Sequence, residues 1–145
     1  MTTTTTSHDL LHDFNVEFDT TTPGVARLAD RLGVLLAQDT TFAIVAGTPA
    51  VAVAVVTLRS NVWYSGGVAL LDEMYVVPDL RGRGIGSAIL GRLISICAER
   101  SVELIEINVD EGDADAQRFY EHHGFSSTQT GSTERAFYYY QELSH

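Results

Sequence analysis

The spacing of apolar residues predicts two amphipathic helices near the start of the chain. Leu10–Phe18 and Val25–Leu36 each bring leucine, valine or phenylalanine onto one helical face. Thr20–Gly24 separates them and supplies a proline and a glycine that break the first pattern. Before these helices, Thr2–Ser7 is a low-complexity threonine segment. It predicts either a frayed tail or a short edge strand.

Strand-like patterns dominate the middle of the chain. Thr41–Ala46 and Ala50–Arg59 are rich in valine, alanine and threonine, and the Gly47–Pro49 segment between them predicts a hairpin. Ser60–Gly67 is predicted to be a loop, and Val68–Val77 a long strand.

Helices and strands alternate in the second half. The pattern predicts a helix over Ile85–Arg100, a strand over Glu103–Val109 and a helix over Asp113–His123. The last of these ends at Gly124, a residue suited to the left-handed conformation that follows many helices. A strand, a helix and a strand in succession predict parallel pairing through a crossover.

Two further strands complete the prediction, one beginning at Phe125 and one covering Arg135–Leu143. The order of elements predicts an α/β fold, with a central mixed β-sheet flanked by helices, in a single domain over residues 1–145. Trp63 and Tyr64 are predicted either to line an acceptor pocket or to cover the core. Phe137–Tyr140 predicts a strand packed on both faces, and it leaves a homodimer contact open.

Composition and charge limit the classes of partner that the chain is expected to bind. The net charge is −10 and all nine basic residues are arginines, so nucleic acid is not expected as a partner, because its binding depends on neutralised phosphates. A cationic partner such as an amine fits this charge better. The longest apolar run, around Val51–Val56, is too short for a membrane span. Cys97 is the single cysteine, and the start of the chain lacks signal-peptide features, so the location is predicted to be cytoplasmic.

The junction between the long strand and the next helix carries the strongest chemical signal. The apolar strand ends at Val77, and Arg81–Ser87 follows as a glycine-rich turn. Glycine lets the backbone approach a ligand closely, and the N–H groups of the turn and the helix start can bind a phosphate. A dinucleotide fingerprint would need glycine at Ser87, and a P-loop would need a lysine. The turn therefore predicts a different phosphate-bearing ligand.

A second motif follows the predicted crossover, in the run from Ala116 to Phe125 that contains Phe119-Tyr120 and ends in Gly124-Phe125. Together with Arg81-Gly82-Arg83-Gly84-Ile85-Gly86, it resembles the core of the GNAT superfamily of acyl-CoA-dependent N-acyltransferases. The resemblance covers Leu71–Phe125 and implies the GNAT fold, with acetyl-CoA as the co-substrate.

The resemblance also implies which residues hold the cofactor. In the family, the pantetheine arm lies along the strand before the turn and the pyrophosphate lies on the turn. The implied pantetheine contacts are Met74, Tyr75 and Val76, and a strand N–H near Met74 or Tyr75 is implied as the oxyanion donor. The other implied cofactor contacts are Arg81, Gly82, Arg83, Gly84, Ile85, Gly86, Ser87 and Asp113.

Tyr120 occupies the position of the family's general acid, which protonates the departing thiolate. The alternative is a core aromatic, because Tyr120 shares one helix face with Phe119 and His123. The sequence departs from the family twice. Asn108 stands where one subset has a catalytic glutamate, and Asp113 stands where the family often has a cofactor-binding asparagine.

The general base is left open between several groups. Glu73 is preferred and Asp72 is its alternative, because both lie on the strand that carries the pantetheine contacts. Alternation along that strand is expected to send the two side chains to opposite faces. Glu111, a water molecule or no base at all are the further alternatives.

These patterns predict an N-acetyltransferase that moves the acetyl group of acetyl-CoA to a small-molecule or peptide primary amine, by direct attack in a ternary complex. The alternatives are an acyl-CoA-binding regulatory module with weak or no activity and an oligomeric structural protein. A membrane is not expected as a partner, because the longest apolar run is too short to span one. A metal is not expected, because the histidines form no convincing ligand set. Cys97 is predicted to be structural.

Overall fold

The computed structural model describes residues 24–144, so the predicted helix Leu10–Phe18 and the threonine segment lie outside the described residues. Contacts divide the chain into two compact units, one reaching to Ile107 and one beginning at Asn108. The first contains α1 (Val25–Leu36), β1 (Thr41–Ala46), β2 (Ala52–Asn61), β3 (Tyr64–Val76), a 3-10 helix (Pro78–Leu80), α2 (Ile85–Glu99) and β4 (Val102–Ile107). The second contains α3 (Ala114–His122).

The first unit is built on a mixed sheet with the strand order β1-β2-β3-β4. The β1–β2 and β2–β3 pairs are antiparallel, and β3 pairs with β4 in parallel after the crossover through α2. The predicted hairpin, the parallel pairing and the mixed sheet flanked by helices are therefore confirmed. Among the described helices none is long and apolar enough to cross a membrane.

The core of the first unit lies on both faces of β2. Ala52–Val56 is buried throughout, as expected for a central strand that is covered on both sides. Leu32 of α1 packs with Val53 and Val55 on one face, which we call the α1 face. Arg100, just beyond α2, lies over the ring of Phe42, which points to the opposite face.

The prediction of a loop over Ser60–Gly67 is wrong. Strands β2 and β3 continue almost to the tip of a tight hairpin, and Asn61 pairs with Tyr64. Trp63 is 85% exposed at this tip, so it does not cover the described core. The 13 residues of β3 span roughly 40 Å at the usual rise per residue, and Trp63 lies at the end away from the glycine-rich turn.

The glycine pair that suggested a loop has a packing role instead. A Cβ built on Gly66 would lie 2.0 Å from the carbonyl oxygen of Ser101, whereas one built on Gly67 would meet Val102 Cγ2 at 3.6 Å and the carbonyl oxygen of Arg59 at 3.7 Å. The Gly66 N–H donates to Glu103 Oε2 at 2.6 Å. The start of β3 therefore needs glycine so that the turn before β4 can approach it.

The two final strands are also wrong as predicted. In the second unit, the described residues after Phe125 form one isolated antiparallel bridge, between Thr128 and Arg135. A strand needs hydrogen-bond partners for its backbone along its length, and within the second unit the described segment has only this one bridge. Tyr138 and Tyr140 stack on each other and remain 67% and 75% exposed.

Replacing Gly66 by alanine should lower the free energy of unfolding by about 1–3 kcal/mol, because the new methyl group meets a backbone oxygen that cannot rotate away. Gly67→Ala is the matched control, since its methyl group finds ordinary contact distances and should leave stability equal or slightly higher. Urea unfolding of both variants measures the difference. Equal stability of the two variants would contradict the close approach.

Candidate functional site

A bulge in β3 places two acidic residues on one side of the sheet. Val56 pairs with Leu71 and Val55 pairs with Glu73, so Asp72 has no partner in the β2 register. The extra residue breaks the alternation. Glu73 then shares its face with Val55, which is the α1 face, and the Asp72 carboxylate accepts a hydrogen bond from Thr57 Oγ1 on that face. The expectation that Asp72 and Glu73 point to opposite faces is therefore wrong.

The two carboxylates differ in their electrostatic environment. Burial raises the pKa of Glu73, and the neighbouring Asp72 carboxylate raises it further. A carboxylate with a raised pKa is better matched to proton abstraction near neutral pH. Because Thr57 engages Asp72, Glu73 is the better placed of the two to receive a proton.

Strand β3 extends beyond its parallel neighbour. The last β3–β4 pair is Leu71 with Ile107, whereas pairing with β2 continues to Val76. Val77 N donates to Val51 O at 2.9 Å, which directs the backbone groups of Val77 toward β2. Strand alternation then directs those of Val76 and Met74 to the opposite edge. We call this the outer edge of β3.

The glycine-rich turn follows this edge directly. After the 3-10 helix, Gly82 and Gly84 adopt φ values of +75° and +83°, which favour glycine. Gly84 then caps α2, which begins at Ile85. The first turn of a helix has N–H groups with no acceptor inside the helix, and this one carries no acidic residue. An anion is therefore accommodated better here than at an acidic helix start.

Arg81 turns back onto β3. Its Nε donates to the carbonyl oxygen of Val76 at 2.9 Å, and its guanidinium carbon lies 5.2 Å from the centroid of the Tyr75 ring. Arg83 is exposed on the same turn. The two arginines that the sequence placed together therefore have different surroundings.

In the second unit, Asp113 caps α3. Its carboxylate accepts a hydrogen bond from Ala116 N at 3.1 Å, which satisfies a helix-start N–H group. Gly124 follows the helix with a φ of +90°, and Phe125 N donates to Tyr120 O, as predicted for a left-handed helix end. The contact of Asp113 with a cofactor stays a prediction.

Tyr120 is buried in the second unit. Its ring makes edge contacts with those of Phe119 and Phe125, at 5.1 and 5.7 Å between centroids. Burial, together with the negative charge of Asp113, raises the pKa of Tyr120 to about 12. The phenol is therefore protonated at neutral pH, while its ring contributes to packing. The two interpretations of this residue are thus compatible.

The other acidic candidate is less well placed. The Glu111 carboxylate is exposed and forms an ion pair with Arg135 at 3.5 Å, and its backbone oxygen accepts a hydrogen bond from Gln117. Asn108 is exposed at the start of the second unit. Among residues 24–144, no group of three or more histidine, cysteine or acidic side chains could hold a metal ion. The absence of a metal stays a prediction.

The structure brings the predicted pantetheine contacts, Glu73 and the glycine-rich turn together along one continuous stretch of the first unit. Tyr120, Asp113 and Glu111 belong to the second unit. Sequence reasoning missed the bulge, the hydrogen bond from Thr57 and the contacts of Arg81 with Val76 and Tyr75. Two adjacent acidic residues inside an apolar strand were the available signal for the bulge.

Comparison with known proteins gives a family. The model of the acetyltransferase (GNAT) family matches residues 6–125, which include both motifs. The crystal structure of a "putative acetyltransferase" from Arthrobacter sp. FB24 is 48% identical, covers 94% of this chain and 87% of that one, and superimposes with a TM-score of 0.87.

More distant relatives extend the comparison. Mycothiol acetyltransferase from Beutenbergia cavernae is 33% identical over 72 residues, which are 48% of this chain and 24% of that protein. The chain thus spans about a quarter of the length of the first curated relatives it matches. An aminoglycoside acetyltransferase from an uncultured soil metagenomic sample, solved with sisomicin, is 19% identical, covers 93% of this chain and 86% of that one, and has a TM-score of 0.73. It shares the fold.

The raised pKa of Tyr120 predicts a pH-dependent stability. The unfolded chain releases the phenolic proton near the ordinary value of 10, and the folded chain only near about 12. The stabilisation is therefore fully present below pH 10 and is lost as the pH rises toward 12, by roughly 2–3 kcal/mol. Denaturant unfolding of wild type and Tyr120→Phe at pH 9 and pH 11 measures about the first half of this loss, roughly 1–1.5 kcal/mol. Parallel losses in the two proteins would rule it out.

Proposed function

The chain belongs to the acetyltransferase (GNAT) family, and we propose that it transfers the acetyl group of acetyl-CoA to a primary amine by direct attack. The observation that carries this proposal is the outer edge of β3, which continues past β4 and leads into a glycine-rich turn at a helix start. An extended amide-bearing arm and a pyrophosphate need these two surfaces in this order.

The outer edge suits the pantetheine arm. An extended ligand can add to a strand edge through main-chain hydrogen bonds, and Met74 and Val76 direct their backbone groups there. The N–H groups of Gly82–Ser87 and the start of α2 then suit the pyrophosphate. A strand N–H near Met74 polarises the thioester carbonyl and stabilises the oxyanion that forms on attack.

The reaction requires proton transfer at two atoms, the amine nitrogen and the departing sulfur. A cationic amine must lose one proton before it attacks the thioester carbon and a second one as the amide forms, whereas the departing sulfur gains one proton when the carbon–sulfur bond breaks. Glu73 is the proposed base, since its pKa is raised and it lies beside the outer edge on the α1 face. Asp72 supports it by raising that pKa.

Tyr120 is the proposed donor to the departing sulfur, as the family motif implies. Its phenol is protonated at neutral pH because its pKa is about 12. A thiol is a stronger acid than such a phenol, so the main contribution of Tyr120 is a hydrogen bond to the charge that develops on sulfur.

The state of Cys97 also favours direct transfer. A covalent acyl carrier needs an accessible thiolate, whereas Cys97 is buried and burial raises its pKa.

The acceptor is proposed to be a cationic amine. The net charge of −10 attracts cations over a distance, and the Asp72–Glu73 pair adds two carboxylates near the proposed reaction centre. The similarity in fold to an aminoglycoside acetyltransferase adds that class to the candidates. The predicted cytoplasmic location and the homodimer stay predictions.

A panel of amines tests the function directly. Acetyl-CoA is offered with a polyamine, an aminoglycoside, a lysine peptide and a peptide with a free N-terminus, and released thiol is measured together with the mass of the acetylated product. At least one amine should be acetylated. A rise in melting temperature with acetyl-CoA but no product from any amine would favour the regulatory binding module instead.

Tyr120→Phe should lower kcat by about a hundredfold or more, the usual scale for a proton or hydrogen-bond donor. Acetyl-CoA binding should persist, because phenylalanine retains the ring contacts with Phe119 and Phe125. Tyr138→Phe, at an exposed position, is the matched control and should leave kcat unchanged. Unchanged turnover in Tyr120→Phe would remove this residue from the mechanism.

The acidic side of the pH profile identifies the base. If Glu73 accepts the proton, kcat/KM of the wild type rises with pH through the raised pKa of this carboxyl. In Asp72→Asn the rise should move to lower pH, since the carboxylate that raises this pKa is gone. In Glu73→Gln the rise should disappear, with activity lower by about a hundredfold or more. The same rise in Glu73→Gln as in wild type would exclude Glu73 as the base.

A further inference from the structure

The side chain of Arg81 links the glycine-rich turn to the buried part of the first unit. Its Nε holds the carbonyl oxygen of Val76 at 2.9 Å, and its guanidinium lies 5.2 Å from the Tyr75 ring centroid. Tyr75 is only 5% exposed and belongs to the core cluster of Leu32 and Val53. A displacement of the turn would therefore break contacts with groups that cannot easily follow it.

The carbonyl that Arg81 holds lies on the outer edge of β3. The hydrogen bond from Val77 N to Val51 O fixes which residues face β2, and by alternation the Val76 carbonyl faces the other way. An extended ligand that adds to this edge meets the Arg81 guanidinium at Val76, whose carbonyl is the last one on the edge. Its pairing is thereby directed to the earlier position, Met74.

We propose that Arg81 is a positioning residue for acetyl-CoA, which ends the ligand-binding edge of β3 at Val76 and fixes the glycine-rich turn to that edge. In this role the guanidinium acts on the protein, and the backbone of the turn acts on the phosphates. What the edge binds rests on the proposed function, whereas the link between turn and strand is a property of the protein without ligand.

The role depends on the chemistry of arginine. A planar guanidinium can donate to a carbonyl and lie over an aromatic ring at the same time, whereas a lysine ammonium is a compact point charge. Arg81→Lys therefore keeps the charge but loses the arrangement. An arginine that only bound phosphate would tolerate replacement by lysine much better than an arginine that acts as a positioning residue.

Two acetyl donors distinguish these roles. S-acetylpantetheine carries the thioester and the amide arm of acetyl-CoA without its phosphates. Arg81→Ala and Arg81→Lys should lower kcat/KM with both donors, and the loss with S-acetylpantetheine should be about tenfold or more. Arg92→Ala, which removes the same charge from an exposed position of α2, should change neither. A loss confined to acetyl-CoA, or full activity of Arg81→Lys, would assign the guanidinium to the phosphates and overturn the proposal.

Hydrogen exchange tests the link without any ligand. In the wild type, Leu80 N donates to Val77 O at 3.1 Å within the segment that Arg81 holds. Arg81→Ala should speed amide exchange at Leu80 and at position 81, whose N–H donates to Pro78 O in the wild type, while leaving β1 unchanged. If the wild type acetylates an amine, unchanged exchange at these amides in Arg81→Ala would overturn the inference. Faster exchange in a protein that acetylates no amine would uphold the link and reject the proposed function instead.

Discussion

The constraint on which this structure depends is that β3 has two neighbours of different length. β2 accompanies it to Val76, whereas β4 ends opposite Leu71. Backbone groups in a sheet need hydrogen-bond partners, so a strand that continues past its neighbour provides a place for an extended ligand. The bulge at Asp72 begins where the pairing with β4 stops. The acidic pair and the outer edge thus lie next to each other on one strand.

The elements around this strand keep its end in place. The buried run of β2 supports it on one side, and α1 covers the face that carries Tyr75. The turn after Val77 then reverses through two left-handed glycines into α2. Arg81 joins this turn to the strand. The proposed cofactor surface therefore lies on one continuous stretch of the first unit. Tyr120 belongs to the second unit, where α3 is capped by Asp113.

Apolar patterning was sufficient to predict α1, the first hairpin, α2, β4 and α3, because each of these buries one face or one run of residues. The turn was predictable because backbone with positive φ favours glycine, and because the helix that follows it begins without an acidic residue. Alternation failed at Asp72 and Glu73, since a bulge depends on how β2 and β3 pair. The loop prediction failed at Gly66, because the reason for glycine there is the carbonyl of Ser101, far along the chain. The aromatic pattern over Arg135–Leu143 suggested a strand, but a strand also requires partners that a pattern does not reveal.

The central claim is that acetyl-CoA binds along the outer edge of β3 and on the turn that follows it. Amide hydrogen exchange, measured with and without acetyl-CoA, tests this claim most directly. The account predicts that saturating acetyl-CoA slows exchange at Met74 and Val76 and across Gly82–Ser87, while the amides of β1 are unchanged. Binding that leaves these amides unprotected, or that protects a different part of the chain, would contradict it.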